Sequence, residues 1–322
     1  MDREELRFLI DCAIKAPSGH NSQPWKFELQ ENTIIIHPDF SRALPVVDGD
    51  NHALYISLGC ALENILIAAN NRGYKNNISI LPNNDGYTCI KIDLEKSENM
   101  VPDELFGYIP LRQVCRNKYS NKKVDNNSLQ ELSSCFNQQG ISLQVLDGKK
   151  NFSKLVHYII EGNNLQFRNK KFVKELSDWF RYSKLEAEKK LDGLWFPSLG
   201  LPNMGRVVGN FVMKNLVSAK SEAKRIQNLL LHTQGLAVFV ADTNDSESWI
   251  NMGRAFQRFG LTLTKLGISH SHLNMPCEEP AVRKRLACEI KVEGKHPLIL
   301  LRYGYSAKMP YSKRRNVKSV IT

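Results

Sequence analysis

The chain of 322 residues carries a formal net charge of +11 and has a mean hydropathy of −0.36, values typical of a soluble globular protein with one or two domains. No apolar run reaches the roughly 18 residues that a membrane helix needs. The charged start does not resemble a signal peptide, so we expect a cytoplasmic protein with no membrane partner. No nucleic-acid-binding motif accompanies the basic excess. We therefore expect no nucleic-acid partner, but a solvated surface and a site for a phosphorylated ligand.

The spacing of apolar residues predicts a mixture of helices and strands. Residues 2–15 form an amphipathic helix that Pro17 ends, and two short strands follow at 25–29 and 33–37. A helix over 52–71 is apolar almost all round, so we expect it to be buried at the centre of the core. The other predicted elements are strands 78–81 and 87–94, a helix–turn–helix over 101–138, strand 142–147, helices between 152 and 190, a loop over 191–209, a helix near 216–230, strand 236–241, helices 246–266 and 279–289, and strand 298–303.

Cysteine and histidine usage gives no sign of a metal centre. The seven cysteines are odd in number and form no Cys-x-x-Cys pair, which predicts free thiols in a reducing compartment. His270 and His272 have no third ligand nearby in sequence. We expect no metal, and we expect this pair in a polar loop or at a strand edge.

The two long helices align with a constant offset of 194 residues. The matching residues are Gly59 with Gly253, Gly73 with Gly267, Pro82 with Pro276, and Asp48 with Asp242. Chance is the alternative, but the coincidence of four such residues favours an internal duplication. The sequence therefore predicts an α+β fold in which two tandem repeats form a pseudo-dimer around central long helices.

Residues 16–27, with the sequence APSGHNSQPWKF, form the most informative stretch of the chain. Two prolines and a glycine predict a fixed, irregular turn, and its hydroxyl, imidazole and amide groups suit the polar edge of a flat heteroaromatic ring. An ordinary polar loop between a helix and a strand is the alternative on composition alone. The stretch resembles the flavin-contacting turn of nitroreductase-type FMN oxidoreductases, whose pattern is roughly A-P-S-(S/G)-x-N-x-Q-P-W.

Three later segments resemble other parts of that family. Residues 111–119, LRQVCRNKY, look like its arginine-rich phosphate-binding opening with one extra residue before the aromatic, and residues 309–317 look like its closing basic element. Residues 273–276 resemble the segment whose backbone amide faces flavin N5. A solvated basic face is the alternative for each basic cluster alone, but their occurrence together with the turn, in family order, favours a binding site.

The resemblance implies that FMN is the cofactor and that its chemistry needs no catalytic side chain. The implied cofactor-binding residues are Ser18, Gly19, His20, Asn21, Gln23, Arg112, Val114, Arg116, Asn274, Met275, Lys313, Arg314 and Arg315. Within this set, the arginines and Lys313 are expected at the phosphate, and the polar residues of the turn at the ring edge and ribityl chain.

The resemblance also implies how the chain is divided. Residues 1–110 are expected to form a first, degenerate repeat that supplies the turn. Residues 111–322 are expected to form a second repeat with a lid-like insertion at about 191–209, for which a plain surface connection is the alternative. This single-site arrangement resembles the Acg-like fused branch of the superfamily, and it implies a monomer that is itself a pseudo-dimer, or a weak homodimer.

The implied activity is an oxidoreductase in which NAD(P)H delivers hydride to the flavin. A small-molecule acceptor such as a nitroaromatic or a quinone then takes the electrons in a ping-pong cycle. The alternative is a catalytically quiet protein that binds and sequesters FMN beneath a closed lid. No Gly-x-Gly-x-x-Gly fingerprint follows a strand, so we expect no Rossmann domain.

Overall fold

The computed structural model describes residues 1–82 and 86–322 of the chain. Its helices are α1 Arg3–Ala13, α2 His52–Asn71, α3 Asn126–Ser134, α4 Lys149–Phe152, α5 Val156–Arg168, α6 Lys170–Asp178, α7 Lys184–Lys190, α8 Arg206–Leu216, α9 Ala219–Leu231, α10 Ser246–Lys265, α11 Met275–Glu278 and α12 Pro280–Glu289. Its strands are β1 Trp25–Leu29, β2 Thr33–Pro38, β3 Tyr74–Pro82, β4 Thr88–Lys96, β5 Ile141–Asp147, β6 Phe180–Arg181, β7 Leu194–Trp195, β8 Gly235–Ala241, β9 Ser269–His272 and β10 His296–Gly304. The expected α+β class is confirmed.

Each half of the chain contributes one four-stranded antiparallel sheet. The strand order is β1-β2-β4-β3 in the first and β5-β8-β10-β9 in the second. In each of these sheets two strands precede the long helix and two follow it, and the strands take the same relative places. This shared topology is what a duplication predicts, and the duplication itself stays a prediction.

Helix α2 forms the centre of the main core, as the sequence predicts. It packs along α10, and most of its side chains are buried on every side. By length and apolar composition α2 is able to cross a membrane, but 94% of that window is buried inside the protein. The two helices cross at Gly59 and Gly253, where a Cβ on either glycine would lie 2.0 Å from a carbonyl oxygen of the other helix.

Several predicted elements differ in the structure. The first expected helix of 101–138 is only a short 3₁₀ turn over Phe106–Leu111, which contains Pro110. The helix expected near 216–230 is α9, which begins after the extended Val217 with a capping box at Ser218, and α8 precedes it as an additional helix. The loop expected over 191–209 contains β7, a 3₁₀ turn at Phe196–Leu199 and the start of α8.

The tail after β10 returns to the first sheet. The backbone N–H of Phe27 in β1 donates to the Val320 carbonyl at 2.7 Å, and the N–H of Thr322 donates to the Phe27 carbonyl at 2.9 Å. Phe27 and Ile321 form a parallel bridge. The second half of the chain therefore reaches across the boundary expected at residue 110 and pairs with the first.

Candidate functional site

A cavity of about 470 Å³ lies beside the N-terminal half of α2. Its walls come from both halves of the chain: the turn after α1, the start of α2, residues 109–116, helices α5 and α6, the segment 274–278 and the tail 310–314. The volume falls within the roughly 300–1,000 Å³ typical of small-molecule sites. Two of the apolar side chains on its walls are Ile56 of α2 and Phe256 of α10.

The turn after α1 is held in an unusual backbone conformation. His20, Asn21 and Gln23 have φ values of 49°, 56° and 55°, in a region that residues other than glycine rarely adopt. The Ser18 hydroxyl accepts the N–H of Gln23 at 2.9 Å, and the Asn21 amide donates to the carbonyls of Gly193 and Lys313 at 3.1 and 2.9 Å. The surrounding segments thus fix a turn that would be costly in isolation.

The predicted residues of this turn that line the cavity are Ser18, Gly19, His20 and Asn21. Burial, together with the nearby charge of Arg116, lowers the pKa of His20 to about 4, so its ring is neutral at physiological pH. His20 Nε2 has no hydrogen-bond partner within the described part of the chain. A ligand in the cavity is the available partner for that nitrogen.

Three arginines lie on the wall of the cavity. Arg112, Arg116 and Arg314 all line it, and no carboxylate within residues 1–82 and 86–322 lies at ion-pair distance from any of them. Burial lowers the pKa of Arg112 and of Arg116 to about 10 and that of Arg314 to about 9. Nε and Nη1 of Arg112 have no partner among the described atoms. Arg112 is buried and Arg116 and Arg314 are half-buried, and cations placed in this way without counter-charge favour an anionic ligand.

The predicted residues Val114, Asn274 and Met275 also line the cavity. The Asn274 side chain is already engaged, because its Oδ1 accepts the N–H of Leu300 at 2.9 Å and its amide donates to Glu278 at 3.3 Å. Asn274 therefore positions the segment that begins α11, and its backbone and that of Met275 are the groups left to meet a ligand.

Gln23, Lys313 and Arg315 are bonded to protein groups away from the described cavity lining. Gln23 donates to the Leu191 carbonyl at 2.8 Å and accepts the backbone N–H of Arg315 at 2.8 Å. Arg315 donates to the Gln23 carbonyl at 3.1 Å, and Lys313 donates to Glu188 at 3.2 Å. The structure thus places these three side chains outside the described lining, where Gln23 and Arg315 join the tail to the turn, while Arg314 between Lys313 and Arg315 lines the cavity.

The cavity is covered by more than the insertion expected at 191–209. That segment supplies Leu194 and Ser198 to the lining, whereas Gln166 of α5 and Phe172 and Leu176 of α6 supply the rest of this wall. The covering segment is joined to the first half of the chain by Asp192, which pairs with Arg42 and with Arg181.

Two titratable residues of the cavity wall were not predicted from the sequence. His52 and Glu278 both line the cavity. Burial acts to lower the pKa of His52. Its hydrogen bond to Asp50 at 2.5 Å and the charge of Asp48 act to raise the pKa by more, so the net shift is upward. Burial raises the pKa of Glu278.

The same group raises the question of a metal, because Asp48, Asp50 and His52 could place three ligand atoms within 4.8 Å of one another. The carboxylate of Asp48 instead accepts the N–H groups of Ala53 and Leu54 at 2.8 and 2.9 Å. These bonds satisfy the start of α2, so Asp48 caps the helix.

His270 and His272 lie on β9, the edge strand of the second sheet, as one of the two expected settings predicts. The ring of His272 lines the cavity, and burial, together with the charges of Arg116 and Arg112, lowers its pKa to about 4.

At the position that the 194-residue offset relates to this cavity, ion-paired side chains line a second cavity of about 410 Å³. Cys60 lines the first cavity, and its counterpart Arg254 pairs with Glu63 at 3.0 Å. Arg258 pairs with the same carboxylate at 3.0 Å and with Asp103 at 2.9 Å. Glu63, Arg254 and Arg258 all line this second cavity, so the charges at the counterpart of Cys60 are paired with one another.

No family model matches the chain. It is 23% identical over 337 aligned residues, 99% of this chain and 92% of the relative, to "Putative NAD(P)H nitroreductase Rv3131" of Mycobacterium tuberculosis. Over 94 residues, 29% of this chain and 28% of the relative, it is 28% identical to "Putative NAD(P)H nitroreductase acg" of the same organism. The similarity over nearly the whole chain confirms the resemblance to the nitroreductase superfamily.

Solved structures give a fainter similarity. The FMN-dependent nitroreductase NfnB of Mycobacterium smegmatis, in complex with NADPH, is 14% identical, with a TM-score of 0.41 over 64% of this chain and 92% of that chain. A nitroreductase-like family protein of Bacillus cereus is 16% identical, with a TM-score of 0.40 over 67% of this chain and 92% of that chain.

Proposed function

We infer that this chain belongs to the nitroreductase superfamily, and we propose that it is an FMN-dependent NAD(P)H oxidoreductase that reduces small nitroaromatic or quinone-type acceptors. The observation that carries the proposal is the presence of Arg112, Arg116 and Arg314 on the wall of one cavity, with no carboxylate at ion-pair distance within the described residues. Since buried charges are normally paired, this cluster requires an anionic ligand.

The residues present fit FMN. A phosphate dianion matches guanidinium groups, which bind it through paired N–H donors, and it would satisfy the free Nε and Nη1 of Arg112. The apolar side chains of Ile56 and Phe256 suit the faces of a flat ring, and the unpartnered Nε2 of His20 suits its polar edge. When bound, FMN would supply two-electron transfer between NAD(P)H and the acceptor.

The chain's own residues would divide the remaining tasks. We assign the phosphate to the three arginines, the ring edge and ribityl chain to Ser18–Asn21 and Val114, and the backbone contact near flavin N5 to Asn274 and Met275. Residues 1–110 and 111–322 would be the two repeats, with one site between them. Size-exclusion chromatography coupled to light scattering should then show a monomer.

A second candidate, a protein that sequesters FMN, is favoured by one observation. Segment 191–209 is held by the ion pairs of Asp192 with Arg42 and Arg181. Two hydrogen bonds between Asn21 and Gly193 hold it as well. If these contacts do not open, a pyridine nucleotide cannot reach the ring. The two candidates share the cofactor and differ in access to it.

One experiment separates them. NADPH or NADH is added without oxygen to the purified, FMN-loaded protein while the visible flavin band is followed. Rapid bleaching that a nitroaromatic or a quinone reverses supports the reductase. Bleaching by dithionite but by neither nucleotide supports sequestration, and failure to take up FMN contradicts both.

A further inference from the structure

Glu278 is an acidic side chain on the cavity wall with no cationic partner at ion-pair distance within residues 1–82 and 86–322. Its Oε2 accepts the side-chain amide of Gln166 at 2.6 Å, and its Oε1 accepts that of Asn274 at 3.3 Å. Both contacts are neutral. Nothing in the resemblance to the nitroreductases assigns a task to this carboxyl.

The placement of Glu278 is built into the packing of two helices. Helix α5 touches the start of α11 at Gly162, where a Cβ would lie 2.7 Å from the carbonyl carbon of Met275. One turn farther along α5, Gln166 then reaches the end of α11 and binds Glu278. The same short helix therefore begins at the segment proposed to face the redox edge of the flavin and ends at this carboxyl.

Reduction of a quinone by hydride transfer needs one proton besides the hydride. Most titratable groups on the described wall are unsuited to give it. Burial lowers the pKa of His20 and His272 to about 4, so both are neutral, and burial moves the pKa of the Cys60 thiol well above its usual value. Lys15 is paired with Asp11. The arginines are strong bases that do not readily give up a proton, and we assign them to the bound phosphate.

Two neighbours remain. Tyr311 donates its hydroxyl to the Leu111 carbonyl at 3.0 Å. His52 is 2% exposed and its Nδ1 is bonded to Asp50, so it contributes charge and has little surface to present to a ligand. Glu278 is the remaining acid on the described wall, and burial raises the pKa of its carboxyl above the usual value, which favours the protonated form that general-acid catalysis needs.

We propose that Glu278 is a catalytic residue that donates the proton to a quinone-type acceptor bound against the open face of the flavin, an inference that rests on the proposed function. The acceptor gains a hydride from the reduced cofactor at one end of its conjugated system. Its carbonyl oxygen forms a bond to the proton of Glu278 as the Oε–H bond breaks. The products are the hydroquinone and a carboxylate, which solvent protonates before the next cycle.

The charged groups around Glu278 set its pH dependence. From the start of α2 and the turn before it, the charge of His52 favours the carboxylate and that of Asp48 opposes it. From α12, Arg283 lies 3.6 Å from Asp50 and is partly neutralised there. Helix α5 contributes the neutral Gln166, and β10 contributes the apolar Leu298 and Ile299 to the same cavity. Quinone reduction should slow as pH rises through the pKa of Glu278.

The test measures reoxidation of FMN-loaded protein that has been reduced with an equivalent of dithionite, so it does not depend on NAD(P)H. Wild type, Glu278→Gln and Glu278→Asp are mixed with a water-soluble quinone and, separately, with ferricyanide, which accepts electrons without a proton. Glu279→Gln is the matched control, because Glu279 lies one residue away and outside the described lining. A carboxylic-acid band in the infrared spectrum of the flavin-free protein is followed against pH in the same variants.

We expect Glu278→Gln to slow reoxidation by quinone about 100-fold or more. The ferricyanide rate should be unchanged, and the protonated-acid band should be lost. Glu278→Asp should restore part of the quinone rate, and Glu279→Gln should behave as wild type. An unchanged quinone rate, or an equal loss with both acceptors, overturns the proposal. Failure of NAD(P)H to bleach the wild type would count against the reductase alone, since these readouts do not use it.

Discussion

Arg181 and Asp192 form a buried ion pair in which Nε and Nη2 of the arginine lie 2.9 and 2.6 Å from the same carboxylate oxygen, Oδ1. The other oxygen of Asp192 pairs with Arg42, which belongs to the first half of the chain. One carboxylate therefore neutralises two guanidinium groups and joins the segment covering the cavity to the opposite half.

Asp192→Asn should loosen that cover, because it leaves two partly buried cations without their counter-charge. We expect a loss of about 3–5 kcal/mol in the free energy of unfolding. Faster bleaching of bound flavin by NADPH should accompany it, as the ring becomes more accessible. Denaturant titration and anaerobic stopped flow measure the two effects. Asp178→Asn, which removes the exposed pair with Lys174, is the control and should cost about 1 kcal/mol or less. A stable variant with an unchanged bleaching rate would show that Asp192 does not hold the cover closed.

The arginines of the cavity should determine FMN affinity. Arg112→Ala removes a guanidinium whose Nε and Nη1 await a partner, and a hydrogen bond to a charged group contributes about 1.5–3 kcal/mol. The dissociation constant for FMN, measured by fluorescence quenching, should therefore rise roughly 10- to 150-fold. Arg315→Ala should weaken binding less, since Arg315 bonds the Gln23 and Ser319 carbonyls. Equal losses in the two variants would contradict the assignment of Arg112 to the phosphate.

The crossing of α2 and α10 should tolerate no side chain. A Cβ on Gly59 would lie 2.0 Å from the Ile250 carbonyl oxygen, and a Cβ on Gly253 would lie 2.0 Å from that of Ile56. Gly59→Ala must push two core helices apart, so we expect a loss of about 3 kcal/mol or more in denaturant titration. Gly107→Ala is the matched control, because no atom lies within 4 Å of its added Cβ. A Gly59→Ala protein as stable as this control would show that the helices do not cross here.

His52 should make stability depend on pH in one direction. Its pKa is raised above the usual value of 6.5 in the folded protein, by Asp50 and Asp48 acting against burial. The stability that the protonated His52 ring contributes is therefore fully present below about pH 6.5 and is lost as the pH rises through the raised pKa. The free energy of unfolding of wild type should fall as the pH rises above about 6.5, and that of His52→Gln should fall less. Parallel profiles would show that His52 is not charged in the folded protein.

Much of the fold followed from the pattern of apolar residues. Helix α2 was predicted with its exact bounds because it is apolar on every side. Strand β3 begins at Tyr74, earlier than expected, because polar residues such as Asn76 and Asn77 give no strand signal and are held there by pairing with β4.

The site was predictable where a short motif carries it and not where distant segments meet. The turn of Ser18–Asn21 and the pair Arg112 and Arg116 line the cavity as expected. Arg314 and Arg315 are adjacent and chemically identical, and only the hydrogen bonds to the turn determine which of them faces the ligand. Glu278 and Glu279 are likewise adjacent and identical in sequence, and only Glu278 lines the cavity. Its hydrogen-bond partner Gln166 lies 112 residues earlier in the chain, so the sequence could not indicate which of the two it is.

The return of the tail to β1 has a consequence for solubility. Strand β1 is at the edge of the first sheet, and residues 320–322 cover its free backbone groups. An uncovered strand edge is a template for pairing with other chains. The tail that places Arg314 at the cavity thus also covers part of a strand edge. A variant in which the tail detaches should therefore lose ligand binding and also self-associate.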